Sequence, residues 1–130
     1  MVYRQSVNAE GTIVKIAAQF GFEAAHRLPH LPDGHKCKNL HGHNYRLEVS
    51  IEGPLDQRGF VMDYAELESI VDPIIKRVDH RYLNEIGGLE NPTSEVMAEW
   101  FMAQIKPHLP GKNVTLRIYE TPRYWVEFAA

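Results

Sequence analysis

The chain has 130 residues, of which 44% are hydrophobic and 24% are charged, and its formal net charge is −3. This length suits one domain with a single hydrophobic core, and the composition is typical of a folded globular protein. The acidic balance argues against DNA or RNA as a partner, because binding to a phosphate backbone requires a basic surface.

The single cysteine, Cys37, cannot form a disulfide within the chain and favours a reducing compartment. The N-terminus has no apolar stretch of the kind found in signal peptides. No apolar run approaches the roughly 20 residues that a membrane-spanning helix needs. We therefore expect a cytoplasmic protein without a membrane partner.

Two strands are predicted in the first half of the domain. We expect residues 1–11 to be an unpatterned lead-in and residues 12–130 to form one domain. Alternating side chains over residues 12–26 indicate the first strand, and residues 43–52 repeat the pattern. Between them, residues 29–40 contain two prolines and a glycine, which predicts a loop.

Two helices are predicted after these strands. Asp63 has the features of an N-cap, and apolar residues recur at helical spacing over residues 64–77. Pro73 lies inside this helix and is expected to bend it. The second helix is predicted to begin at Thr93 or Ser94.

The last two strands are predicted over residues 114–119 and 124–128, and residues 79–92 are predicted as a loop between the helices. The order ββααββ indicates an α+β fold, with a four-stranded antiparallel sheet and two helices on one face. The edges of this sheet would be exposed in a monomer. We therefore expect a homo-oligomer that continues the sheet across subunits.

Three histidines are predicted to converge at the ends of the first two strands. His41 and His43 lie two apart on a strand and therefore point to the same side. An antiparallel partner strand would place His26 beside them. Three histidines are the ligand set of a catalytic zinc site with one open position. Two alternatives remain: ordinary polar residues in turns, or a structural site in which Cys37 is the fourth ligand.

Further residues are candidates for the chemistry itself. A thiol near a metal and imidazoles favours its thiolate form, so Cys37 is a candidate base or acid, or alternatively an inert buried residue. Asp79 and His80 are a candidate proton relay, or simply the end of a helix. Glu120 has two oxygens that suit a guanidine-like donor array, although a solvated strand end is the alternative.

The remaining polar residues receive simpler interpretations. Thr93 and Ser94 are predicted first as a helix start, with contacts to an anion or ligand as a second role. His30, His35 and His108 are interpreted as surface residues.

Several separate motifs occur in the same order as in one known family, and they extend from about residue 12 to the C-terminus. The motifs are Phe22-Glu-Ala-Ala-His26-Arg-Leu, Cys37-Lys-Asn-Leu-His41-Gly-His43-Asn-Tyr, Val78-Asp79-His80-Arg-Tyr-Leu-Asn, Asn91-Pro-Thr-Ser-Glu95 and Ile118-Tyr-Glu120-Thr. In this combination they resemble the 6-pyruvoyl-tetrahydropterin synthase family. Within that family the chain is similar to the 6-carboxytetrahydropterin synthases.

The resemblance implies a role for each group. The three histidines would bind zinc, and Cys37 would transfer protons with help from Asp79 and His80. Glu120 would anchor the pterin ring through its amino-pyrimidine edge. The implied architecture is the tunnelling fold, in which ββααββ subunits join their sheets into a barrel. Hexamers built from two trimers, with active sites between subunits, are usual in the family.

The spacing of the cysteine motif suggests a branch of the family. Three residues separate Cys37 from His41, which is similar to the bacterial queuosine-pathway enzymes. The implied reaction converts 7,8-dihydroneopterin triphosphate to 6-carboxy-5,6,7,8-tetrahydropterin, acetaldehyde and triphosphate, with Lys36, Lys38 and Arg27 as candidates for binding the triphosphate. The alternatives are 6-pyruvoyl-tetrahydropterin synthase activity and a non-catalytic zinc- and pterin-binding protein.

Overall fold

A computed structural model describes residues 13–130 as five strands, two α-helices and short 3-10 turns. The predicted lead-in over residues 1–11 lies outside the described residues. The elements are β1 (Val14–His26), β2 (His41–Gly53), α1 (Tyr64–Lys76), β3 (Arg81–Tyr82), α2 (Ser94–Ile105), β4 (Asn113–Tyr119) and β5 (Trp125–Ala129). The α+β architecture with two helices is thus confirmed.

The prediction of four antiparallel strands is wrong in one respect, because the sheet has five strands in the order β3-β1-β2-β4-β5. The additional strand, β3, has two residues and pairs in parallel with Ala24 and Ala25 of β1. All other neighbouring strands pair antiparallel, so the sheet is mixed. Residues 79–92 were predicted as loop because two residues are too few to show an alternating pattern.

The two faces of the sheet differ in polarity along β1 and β2. These strands pair over their full length in a register that places Phe22 opposite Tyr45 and His26 opposite His41. One face carries apolar side chains that are buried with those of the helices. The other face carries polar side chains such as Gln19, which donates a hydrogen bond to Glu48. This alternation fixes the register, because a one-residue slip would expose the core.

The helix starts are confirmed by their capping bonds. The Asp63 carboxylate accepts a hydrogen bond from the Ala65 amide at 2.9 Å, and the Thr93 hydroxyl accepts one from the Val96 amide at 3.1 Å. Helix α1 ends one residue earlier than predicted, and the bend at Pro73 stays a prediction. Among residues 13–130, no helix is both long and apolar enough to cross a membrane.

Candidate metal centre and active site

The three predicted histidines meet at one end of the sheet, on the face that carries the helices. The register pairs His26 with His41, and His43 follows on the same face of β2. One ring nitrogen from each residue lies within 4.8 Å of the other two, and the Nε2 atoms of His26 and His41 are 3.0 Å apart. The sequence prediction that these residues converge is therefore confirmed.

Backbone carbonyl groups determine which nitrogen of His26 and of His41 carries the proton. Nδ1 of His26 lies 2.9 Å from the carbonyl of Pro92, and Nδ1 of His41 lies 2.7 Å from the carbonyl of Asn39. A carbonyl only accepts, so both Nδ1 atoms carry a hydrogen, and the neutral form of each ring presents an unprotonated Nε2. Two lone pairs that face each other at 3.0 Å repel, and a cation held by both nitrogens would remove that repulsion.

This arrangement fits zinc. Nitrogens bonded to a tetrahedral zinc at about 2.1 Å lie about 3.4 Å apart, close to the observed 3.0 Å. A carbonyl that holds the other ring nitrogen is the usual outer contact of a metal-binding histidine. Burial lowers the pKa of His26, and burial likewise lowers the pKa of His43. Both rings are therefore neutral near pH 7, as metal binding requires.

Tyr45 lies directly against the cluster. Its hydroxyl is 3.1 Å from Nδ1 of His26, and its ring stacks on Phe22 with centroids 5.0 Å apart. Burial, and to a smaller extent the Glu120 carboxylate, raises the pKa of the Tyr45 phenol. The hydroxyl therefore stays protonated, and the packed ring fixes the position of His26, whose side chain is fully buried.

Glu120 lies at the cluster, where sequence analysis had placed it only at a strand end. Its Oε1 is 3.6 Å from Nε2 of His43 and 3.8 Å from Nε2 of His26. The register explains this position: Tyr119 pairs with Arg46, so the next residue lies beside Tyr45. Strand pairing between β2 and β4 was not visible in the sequence, and this contact was missed for that reason.

Asp79 and His80 form the predicted pair at the edge of the sheet. Nδ1 of His80 lies 3.0 Å from Oδ1 of Asp79, which also accepts a hydrogen bond from the Glu23 amide at 2.9 Å. The Glu23 amide, and secondarily His80, lowers the pKa of Asp79, so the carboxylate is ionised. His80 has a φ of 58°, which is uncommon for a residue other than glycine and often marks a functional site.

His80 opens into a groove of about 560 Å³ on the helix-free side of the sheet. Glu23, Ala25, Asn44 and Tyr82 also line this groove, which extends to His43. Sequence analysis missed Glu23 as a partner: its amide donates to Asp79, its carbonyl accepts from the His80 amide, and its Oε2 lies 3.4 Å from Nε2 of His80.

Cys37 lies in the loop between β1 and β2, in a 3-10 turn formed by Lys36–Lys38. Its amide donates to Nδ1 of His35, and its carbonyl accepts from the Leu28 amide. The thiol is not part of the group of metal-ligating atoms found among residues 13–130. This argues against Cys37 as the fourth ligand. Within the same residues, its thiol makes no hydrogen bond to Asp79 or His80.

Asn84 was quoted in a motif but given no role by sequence analysis. Its Oδ1 accepts a hydrogen bond from the Arg27 amide at 3.0 Å, and its Nδ2 donates to the carbonyls of Arg27 at 2.8 Å and Glu90 at 3.2 Å. The side chain thus joins the loop after His26 to the segment that leads to Pro92. Both of these segments position the buried histidine.

The remaining predicted residues are not members of the histidine cluster. Thr93 directly follows Pro92, whose carbonyl fixes His26, and it caps α2, of which Ser94 is the first residue. The Lys38 ammonium pairs with Asp33. His30, His35 and His108 are not part of the metal-ligating cluster in the described chain.

Comparison with known proteins gives a consistent result. The model of the 6-pyruvoyl tetrahydropterin synthase family matches residues 15–130. A 6-carboxy-5,6,7,8-tetrahydropterin synthase from Synechocystis is 43% identical over 113 residues, which cover 82% of this chain and 85% of the relative. A dihydroneopterin monophosphate aldolase from Pyrococcus furiosus is 37% identical over 115 residues, or 87% of this chain and 95% of the relative.

A solved structure shares the fold. The 6-pyruvoyl tetrahydropterin synthase of Caenorhabditis elegans superimposes with a TM-score of 0.82 at 29% sequence identity. The match covers 92% of this chain and 96% of the other.

Proposed function

The chain belongs to the 6-pyruvoyl tetrahydropterin synthase family of pterin lyases, and we propose that it is a zinc-dependent 6-carboxy-5,6,7,8-tetrahydropterin synthase. With one water molecule as co-substrate, it would convert 7,8-dihydroneopterin triphosphate to 6-carboxytetrahydropterin, acetaldehyde and triphosphate in the cytoplasm, as a step of queuosine biosynthesis. The main observation in support of the proposed zinc site concerns His26 and His41. Backbone carbonyl groups hold both rings through Nδ1, and their Nε2 atoms lie 3.0 Å apart.

The residues that would hold zinc are His26, His41 and His43. A bound Zn²⁺ supplies Lewis acidity toward the hydroxylated side chain of the substrate. The protein contributes rigid ligands: the carbonyl groups of Pro92 and Asn39 hold two rings in the orientation that directs Nε2 inward.

Proton transfer is assigned to Cys37, Asp79 and His80. The Asp79 carboxylate accepts a hydrogen bond from Nδ1–H of His80, and Nε2 of the same ring, which lies 3.4 Å from Oε2 of Glu23, would exchange the proton. The Cys37 thiol would exchange protons with the substrate carbon atoms. Because the thiol and the imidazole make no contact within the described chain, the proposed homohexamer of two trimers would bring them together between subunits.

Substrate binding is assigned to Glu120, with Thr93 and Ser94 as further contacts. The two Glu120 oxygens match the adjacent N–H donors of the amino-pyrimidine edge, which makes a bidentate contact. Such a contact fixes the ring and thereby the position of the reacting side chain. Lys36, Lys38 and Arg27 remain candidates for the triphosphate.

Relatives with other activities keep a second candidate open, namely 6-pyruvoyl-tetrahydropterin synthase activity on the same substrate. The fold match to a synthase of that name supports it. The two activities differ in their products, because only the carboxytetrahydropterin synthase releases acetaldehyde. A non-catalytic zinc- and pterin-binding protein would require Cys37 as a structural ligand, which its position outside the histidine cluster disfavours.

Zinc content and product analysis of the wild type and of Cys37→Ala test the proposal. We expect the wild type to bind one zinc per chain and to release acetaldehyde from 7,8-dihydroneopterin triphosphate. Cys37→Ala should keep its zinc and form no product. Loss of zinc in Cys37→Ala would make the thiol a ligand, and a pyruvoyl product from the wild type would favour the second candidate.

A further inference from the structure

Glu120 directs a fourth acceptor atom at the histidine cluster. Its Oε1 lies within 4 Å of Nε2 of both His26 and His43. Imidazole nitrogen and carboxylate oxygen are both zinc-binding atom types, so this geometry brings two nitrogens and one oxygen toward the same point.

Three of the distances among these atoms are close to those between neighbouring ligands of one metal ion. Bonds of about 2.1 Å from zinc to nitrogen and to oxygen place neighbouring ligand atoms about 3.4 Å apart. The observed distances are 3.0 Å between Nε2 of His26 and Nε2 of His41, and 3.6 and 3.8 Å from Oε1 of Glu120 to Nε2 of His43 and of His26. One is shorter than about 3.4 Å and two are longer. Glu120 is outside the group whose ligand atoms all lie within 4.8 Å of one another. Its carboxylate therefore has to rotate toward His41 to complete the shell.

The backbone of Glu120 is held while its side chain can turn. The amide donates to the Tyr124 carbonyl at 3.1 Å, which closes the hairpin between β4 and β5. The Thr121 hydroxyl accepts hydrogen bonds from the amides of Arg123 and Tyr124, which fixes the turn. The side chain is 28% exposed, so the carboxylate lies at the edge of the site.

We propose that the Glu120 carboxylate is the fourth ligand of the metal in the substrate-free protein. The same carboxylate would leave the metal on binding the pterin ring, and substrate binding would thereby open a coordination position. This inference rests on the metal site of the proposed function but not on its reaction. It adds a metal-binding role to the ring-anchoring role already assigned to Glu120.

The test measures metal binding without substrate and without turnover. Zinc affinity is measured by competition with a chromogenic chelator, and the visible spectrum is recorded with Co²⁺ in place of zinc. The variants are Glu120→Gln, which keeps the shape of the side chain, and Glu120→Ala. The control is Glu99→Gln, an equal change of charge on an exposed position of α2.

We expect both Glu120 variants to bind zinc about 10- to 100-fold more weakly than the wild type and to show an altered Co²⁺ spectrum. Glu99→Gln should match the wild type in both measurements. Unchanged affinity and an unchanged spectrum in both Glu120 variants would overturn the fourth-ligand role and leave the proposed function intact. A wild-type protein that binds neither metal would refute the metal site itself, and with it the proposed function.

Discussion

Replacing Asn84 by aspartate tests how the loops around the histidines are held. The Asn84 amide group donates to the carbonyls of Arg27 and Glu90 and accepts from the Arg27 amide. Aspartate has the same shape but no N–H groups. Asn84→Asp therefore removes both donated bonds and places a carboxylate oxygen against two carbonyl oxygens.

The structure allows an estimate of the cost. A neutral hydrogen bond contributes about 0.5–1.5 kcal/mol, so losing two costs about 1–3 kcal/mol before any repulsion is counted. For a chain of this size, this lowers Tm by about 5–10 °C at neutral pH. Repulsion raises the pKa of the introduced carboxyl above its value in the unfolded chain. The penalty should therefore shrink as the pH falls through that raised pKa, because the protonated carboxyl regains a donor.

The assay combines thermal unfolding, followed by circular dichroism at pH 7.5 and pH 5, with zinc affinity measured by chelator competition. Asn113→Asp is the matched control, since Asn113 is exposed at the start of β4. We expect Asn84→Asp to weaken zinc binding about tenfold as well, because the Glu90 contact holds the segment that carries Pro92. Equal Tm values for Asn84→Asp and Asn113→Asp would refute the stability argument. An unchanged zinc affinity of Asn84→Asp would refute the link between Asn84 and the metal centre.

Two further predictions concern pH and backbone conformation. Burial lowers the pKa of His26 and of His43 in the folded protein. As the pH falls below about 6.5, these histidines are therefore protonated more in the unfolded chain than in the folded one. The free energy of unfolding of the metal-free protein should accordingly decrease from about pH 7 to about pH 5.5. A flat stability profile over this range would contradict that reasoning. Gly88→Ala should lower Tm more than Gly34→Ala, because both glycines have a φ of 90° but only at Gly88 would a Cβ atom meet Trp100, at 3.0 Å. Equal shifts in thermal melts would show that the contact with Trp100 costs nothing.

Most of the fold was predictable because its long elements carry strong periodic signals. The alternation in β1 and β2, and the caps at Asp63 and Thr93, predicted elements whose ends lie within one or two residues of those observed. Strand β3 was missed because its position depends on tertiary hydrogen bonds: the His80 amide donates to the Glu23 carbonyl at the point where the short strand begins. No local pattern indicates such a pairing.

The candidate site was predictable only where spacing on one strand determines geometry. His41 and His43 share a face by alternation alone, and one antiparallel pairing adds His26. The position of Glu120 required the pairing of β2 with β4. The bonds that orient the rings come from carbonyl groups, such as that of Pro92, which any residue type at that position would supply. Side-chain identity therefore gives no signal for them.

The two chemical groups of the proposed site are attached to opposite faces of one strand. Glu23, whose backbone holds Asp79 and His80, and His26 lie three residues apart on β1, and an odd separation in a strand directs side chains to opposite faces. The metal-binding cluster accordingly lies on the face covered by the helices, while His80 lines a groove on the helix-free side. The His80 side chain is 73% exposed although its Nε2 lies 3.4 Å from Oε2 of Glu23, so its imidazole faces solvent where another subunit could approach. This arrangement is the physical reason to place the proposed relay between subunits: within the described residues the acid–base pair adjoins the metal centre only where the groove reaches His43, and the Cys37 thiol makes no hydrogen bond to Asp79 or His80.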